Sequence, residues 1–136
     1  HLDIIKRARV ISDELIIGIG ENSDKKCLYS LEERIYFISK SINPKSNVKI
    51  MSYKGLTSDF CLKIKVSAII RGIRSFKDFE YEKDIAEINR KLIGIETLFF
   101  LSDSKYSFIS SSIVRELILN KGDYSLFVPN AVKNSR

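Results

Sequence analysis

Glu14-Leu-Ile-Ile-Gly-Ile-Gly20 decides how the rest of the chain reads. It is a short apolar run, rich in β-branched residues and without apolar–polar alternation. That is the pattern of a strand buried on both faces, as parallel strands are. Residues 21–29 are polar and read as a loop. Ser30-Leu-Glu-Glu33 then forms a capping box, with Ser30 at N-cap and Glu33 at N3. Leu31, Ile35, Ile38 and Ile42 continue it as an amphipathic helix, which Asn43-Pro44 ends. Asn47 to Tyr53 reads as a second strand. Strand, helix and strand in that order make a βαβ unit.

The same alternation extends outward on both sides. Leu56, Phe60 and Ile64 predict a short helix, and Ser67-Ala-Ile-Ile70 predicts a third strand ending at Arg71-Gly72. A longer helix is predicted over 79–92, and a fourth strand over 95–101, carrying Leu-Phe-Phe-Leu. Ser110-Ser-Ser112 introduces a last clear helix, with Ile113, Leu117 and Ile118 on one face and Gly122 closing it. Residues 123–136 contain Pro129 and are read as short helical turns. Upstream, Leu2, Ile5, Ala8 and Ile11 recur at helical spacing. There is no internal repeat and no linker-like stretch. The expectation is one α/β domain over 1–136, a parallel sheet with flanking helices and right-handed crossovers.

Composition narrows the class. The 136 residues are 44% apolar and 29% charged, which argues against disorder and for a packed core. Lys and Arg exceed Asp and Glu by 23 − 17 = 6, an excess that favours an anionic partner without choosing one. Cys27 and Cys61 have no metal-ligand spacing and read as reduced thiols of a cytoplasmic protein. No stretch approaches the ~20 apolar residues of a membrane span. Asp3, Lys6, Arg7 and Arg9 leave no signal-peptide core in the first residues.

Ligands of open parallel sheets lie at the carboxyl ends of the strands. Three segments follow strand ends here: 20–29, 71–74 and 102–112, each with Lys, Arg or Ser. Gly18-Ile-Gly20 begins like a dinucleotide fingerprint, but the third glycine would fall at position 23, which is Ser23. The two glycines therefore read as a place where the strand packs closely. Lys25-Lys26 can set an ammonium over a phosphate, or form a solvated pair. Arg71-Gly-Ile-Arg74 offers two guanidinium forks suited to phosphate oxygens. Equally, those arginines can pair with Asp78, Glu80 and Glu82 downstream. Ser110, Ser111 and Ser112 bring hydroxyls and unbonded N–H groups to a helix start, an anion site, or one serine caps and the others fill. His1 is the only histidine, and no carboxylate cluster resembles a metal cage.

Together these stretches resemble bacterial phosphopantetheine adenylyltransferase, of the nucleotidyltransferase superfamily. The matching residues are His1-Leu-Asp-Ile-Ile, Ser23-Asp-Lys-Lys-Cys-Leu-Tyr-Ser-Leu-Glu-Glu-Arg34, Ile70-Arg-Gly-Ile-Arg74 with Asp78-Phe-Glu-Tyr-Glu82, Asn89-Arg-Lys-Leu92, and Tyr106-Ser-Phe-Ile-Ser-Ser-Ser112. The resemblance runs to about Val132. The serine block is the superfamily signature, and the Arg71–Glu82 block is specific to this enzyme within it.

The resemblance implies a Rossmann-like nucleotidyltransferase fold and a reaction of coenzyme A biosynthesis. ATP and 4′-phosphopantetheine give dephospho-coenzyme A and pyrophosphate. Catalytic roles fall to His1, Lys25 and Arg74. Phosphopantetheine falls to Lys25, Thr57 and Arg71. ATP falls to His1, Gly72, Ile73, Arg74, Glu82, Tyr106, Ser107, Phe108, Ile109, Ser110, Ser111 and Ser112. It also implies Mg²⁺ held mainly by substrate phosphates, a homohexamer, coenzyme A as an inhibitor, and no nucleic-acid or membrane partner. A relative acting on another phosphorylated acceptor, such as nicotinate mononucleotide, is opposed by the Arg71–Glu82 block. A nucleotide- or nucleic-acid-binding module is permitted by the charge, but no aromatic-rich basic strand pattern supports RNA binding.

Several departures from the family pattern stand out. The family's opening strand and Gly-x-Phe-Asp-Pro-x-Thr-x-Gly segment, which precede the matching histidine, are absent. A parallel sheet lacking a central strand would expose apolar faces and unpaired backbone groups. The expectation is therefore that the protein extends upstream of His1. Cys27 and Ser23 stand where prolines are usual, and the turn near Gly94 is one residue short.

Overall fold

The structure is a computed structural model that describes residues 1–21, 27–43 and 46–133. Helix α1 is Leu2–Ala8, followed by β1 (Leu15–Glu21), α2 (Leu31–Ser41), β2 (Val48–Lys54) and α3 (Thr57–Ile64). Then come β3 (Ala68–Ile73), α4 (Phe76–Ile93), β4 (Glu96–Leu101), a 3₁₀ turn (Ser104–Tyr106), α5 (Ser111–Leu119) and α6 (Asn130–Lys133). The α/β alternation read from the sequence is present throughout.

The four strands form two parallel pairs rather than one continuous ladder among the described residues. β1 pairs with β2 from Leu15↔Val48 to Glu21↔Lys54, and β3 with β4 from Ala68↔Glu96 to Ile73↔Leu101. Helix α2 packs on the first pair and α4 on the second, while α3 touches both β2 and α4. Ala8, Ile19, Cys61, Ile73 and Ile118 are buried apolar side chains of this core.

Helix α1 joins the two pairs. At its start, Asp3 accepts the Asp103 N–H, Ile4 packs on Gly72, and the Arg7 guanidinium donates to the Leu101 carbonyl. Beyond its end, Asn47 donates its side-chain amide to the carbonyls of Arg9, Ser12 and Asp13. The helix thus begins at the carboxyl ends of β3 and β4 and ends at the amino end of β2. A Cβ at Gly72 would lie 3.0 Å from Ile4 Cγ1, so any larger residue there would have to push the Ile4 side chain aside.

Local signals account for most element ends. The capping box at α2 is complete: Ser30 Oγ accepts the Glu33 N–H at 3.1 Å, and Glu33 accepts the Ser30 N–H at 2.7 Å. Three sequence expectations need correction. β3 runs on to Ile73 because Phe99, Phe100 and Leu101 continue the ladder beside it, so Arg71 and Gly72 lie inside the strand and only Arg74 leaves its end. Helix α4 starts at Phe76, three residues earlier than its apolar spacing indicates, because Ser75 caps it by accepting the Asp78 N–H. At the end of α5 the left-handed residue is Lys121, not Gly122. The Lys121 N–H bonds to Ile118 and the Gly122 N–H to Leu117, a complete Schellman closure.

Candidate active site

The carboxyl end of β3 runs into α4 through Arg74 and Ser75 alone, a connection short enough to fix where Arg74 points. Its guanidinium makes a bidentate pair with Asp78, Nε to Oδ2 at 3.0 Å and Nη2 to Oδ1 at 3.3 Å. Its Nη1 donates to the Ile109 carbonyl at 2.9 Å. Residues 71–74 and 106–112, far apart in sequence, are therefore held against each other by one side chain. His1 is the N-cap position of α1, whose first turn packs Ile4 on Gly72 and accepts the Asp103 N–H at Asp3. His1 therefore stands near the carboxyl ends of β3 and β4, from which Arg74 leaves.

At that corner Ser110 is the N-cap of α5, accepting the Ile113 N–H at 3.2 Å. Ser111 and Ser112 occupy the exposed first turn, where helix geometry leaves backbone N–H groups without intrahelical partners and the dipole favours an anion. The capping and anion readings are compatible: Ser110 caps, and the turn it caps still presents N–H groups. Tyr106 ends the 3₁₀ turn, which Asp103 caps by accepting the Lys105 N–H. Ile73, Arg74, Ser75, Phe76, Phe79 and Leu101 line a cavity of about 330 Å³ beside this corner, mostly apolar apart from Arg74 and Ser75.

Arg71 lies three residues back, inside β3. Its Nε and Nη2 meet the Glu82 carboxylate at 2.7 and 2.6 Å. Those hydrogen bonds and the Glu82 charge raise the Arg71 pKa against the opposing effect of its partial burial. Glu82, taken from the sequence as an ATP residue, thus holds Arg71. Thr57 opens α3, and the Tyr53 hydroxyl lies 2.8 Å from its Oγ1. Tyr53 and Asp78, which bond to Thr57 and Arg74, are not among the site residues the sequence suggested. Asp78 was foreseen as an arginine partner, whereas Tyr53 carries no motif. Gly72 and Ile73 line the β3 end between the two arginines. Lys25 lies outside the described residues, so its place in this arrangement is not described.

The arrangement gathers guanidinium groups, hydroxyls and the start of a helix at the carboxyl ends of parallel strands. By fold and by sequence this is a nucleotidyltransferase domain of the cytidylyltransferase-like class, whose family model matches residues 1–117. A protein of Flavobacterium psychrophilum named phosphopantetheine adenylyltransferase is 51% identical, over 98% of this chain and 88% of its own length. Proteins of the same name from Bacteroides thetaiotaomicron and Desulfitobacterium hafniense are 42% and 44% identical, covering 98% and 99% of this chain and 88% and 83% of their own. The chain belongs to the phosphopantetheine adenylyltransferase family.

Proposed function

We infer that the chain transfers the adenylyl group of ATP to 4′-phosphopantetheine, giving dephospho-coenzyme A and pyrophosphate in coenzyme A biosynthesis. The observation that carries this reading at the level of the site is Arg74, bonded to both Asp78 and the Ile109 carbonyl. It draws the end of β3 and the residues just ahead of α5 into one corner suited to a polyanion. A phosphate oxygen of phosphopantetheine attacks the α-phosphorus of ATP. The bond from that phosphorus to the bridging oxygen of the β-phosphate breaks, and pyrophosphate leaves. Such a transfer asks for positioning and charge stabilisation more than for covalent chemistry.

The roles divide along the crevice. Arg71, oriented by Glu82, takes the phosphate of phosphopantetheine as a fork. Thr57 contacts the pantetheine arm. His1 and Lys25 stabilise charge on the transferring phosphate, and Arg74 joins them there. The first turn of α5, with Tyr106 to Ile109 ahead of it, receives the nucleotide.

No group of three or more His, Cys, Asp or Glu suited to a metal ion occurs among the described residues. A cation carried by the nucleotide's phosphates fits such residues, and Mg²⁺, which keeps waters and phosphate oxygens, is that cation. It neutralises charge on the triphosphate when bound. Self-association as a homohexamer is supported by the exposed stripe Tyr81, Ile85, Ile88 and Leu92 on α4, a helical apolar face open to a second copy. A cytoplasmic location accords with the two free thiols, and among the described residues no helix is long and apolar enough to cross a membrane.

The test is pyrophosphate release by the full-length protein with Mg²⁺. Release that requires both ATP and 4′-phosphopantetheine is expected. ATP binding with no release, or release with nicotinate mononucleotide in its place, would sink the reading.

A further inference from the structure

We infer that Tyr53 is a positioning residue of the acceptor side, its hydroxyl holding the Thr57 hydroxyl in place for the pantetheine arm. The inference rests on the acceptor reading above and adds a residue to it.

The ring is fixed before its hydroxyl is considered. Tyr53 pairs in register with Gly20 on β1. A Cβ at Gly18 would lie 3.1 Å from the Phe60 ring and 3.2 Å from the Tyr53 ring, and one at Gly20 would lie 3.3 Å from the Tyr53 hydroxyl oxygen. Two missing side chains on β1 thus make the floor of a slot. Phe60 of α3 also stacks on Tyr53, with centroids 4.4 Å apart and planes 9° from parallel. Packing of this kind asks only for an aromatic ring, and phenylalanine would serve it equally.

The hydroxyl is therefore extra to the packing, and it is spent on Thr57 at 2.8 Å. Thr57 is exposed at the first position of α3, after an N-cap, Leu56, that makes no side-chain cap bond. A threonine hydroxyl is a rotor with one donor and two acceptor positions. With Tyr53 bonded to it, the Thr57 hydroxyl no longer turns freely, and its remaining hydrogen-bonding capacity is exposed. Amide and hydroxyl groups of a pantetheine arm are suited to meet it.

Steady-state pyrophosphate release, with ATP and 4′-phosphopantetheine varied separately, tests this in the full-length protein. Y53F and T57V should each raise KM for 4′-phosphopantetheine about three- to tenfold, the weight of one hydrogen bond, with KM for ATP and kcat within about twofold of the parent. The double variant should be no worse than T57V alone, because the two hydroxyls act as a unit. T57S, which keeps the hydroxyl, should restore the parent KM. Parent-like kinetics in Y53F, an equal rise in both KM values, or early melting of Y53F would each overturn the inference. Absence of release by the parent protein would instead overturn the acceptor reading itself.

Discussion

Arg71 and Arg74 show what a single residue can and cannot announce. From the sequence, each could bind phosphate or pair with an acid downstream, and the structure has both paired: Arg71 with Glu82, Arg74 with Asp78. The pairs do not exhaust the forks, because a guanidinium has five N–H donors and each carboxylate engages two. Pairing instead fixes the direction in which the remaining donors face. Asp78 gives a measurable consequence. Its pKa is lowered, chiefly by hydrogen bonding to the Arg74 side chain. A carboxyl lowered in the folded state contributes stability above its unfolded pKa of about 3.9, and that stability is lost as pH falls through the folded value. The parent should therefore melt above D78N at neutral pH, and the gap should close as pH falls below about 4, read by thermal denaturation across pH. The pair is partly exposed, so a gap of at most about 1 kcal/mol is expected.

The chemistry of helix and strand ends decides how well each element could be read. The α2 start was legible to the residue because Ser30 and Glu33 bond reciprocally and need nothing else. The α4 start was not, because residues 76–78 (Phe-Lys-Asp) show no apolar repeat and Ser75 announces itself only through its cap. The β3 end was misjudged because a charged residue inside a strand looks like a terminus until the partner strand is known. Lys121 and Lys65 are further cases: each adopts a left-handed conformation, with φ of 58° and 54°. Such conformations cost a residue with a Cβ about 1 kcal/mol, and glycine avoids that cost. K121G is expected to raise stability by about 0.5 kcal/mol after its larger unfolded-state entropy is offset, measured by urea unfolding with an unchanged slope. A drop in midpoint would show that Lys121 contributes through contacts at the α5 end.

At the scale of the whole molecule, two strand pairs are tied by α1, and the candidate site lies where its first residues meet the ends of β3 and β4. The apolar stripe of α4 remains open, with Tyr81 67% and Leu92 62% exposed. Exposed apolar rows of this kind are covered by partners in most soluble proteins. Light scattering of the full-length protein is expected to give a mass several times that of one chain, and I88E to shift it toward the monomer. A parent protein that is monomeric at micromolar concentration would remove the self-association reading.

The order of strands and helices, the capping box and the candidate phosphate-binding blocks followed from sequence alone. Each depends on residues within a few positions of one another: apolar spacing, a serine three places before a glutamate, arginines either side of a glycine. The meeting of Arg74 with Ile109, the turning of Glu82 onto Arg71 and the slot that seats Tyr53 were decided only by tertiary structure. Those contacts join residues 35, 11 and 33–35 positions apart, and their geometry is set by which strands lie side by side. No local pattern encodes that arrangement, because it arises from burying the sheet faces and from the path of the chain between them.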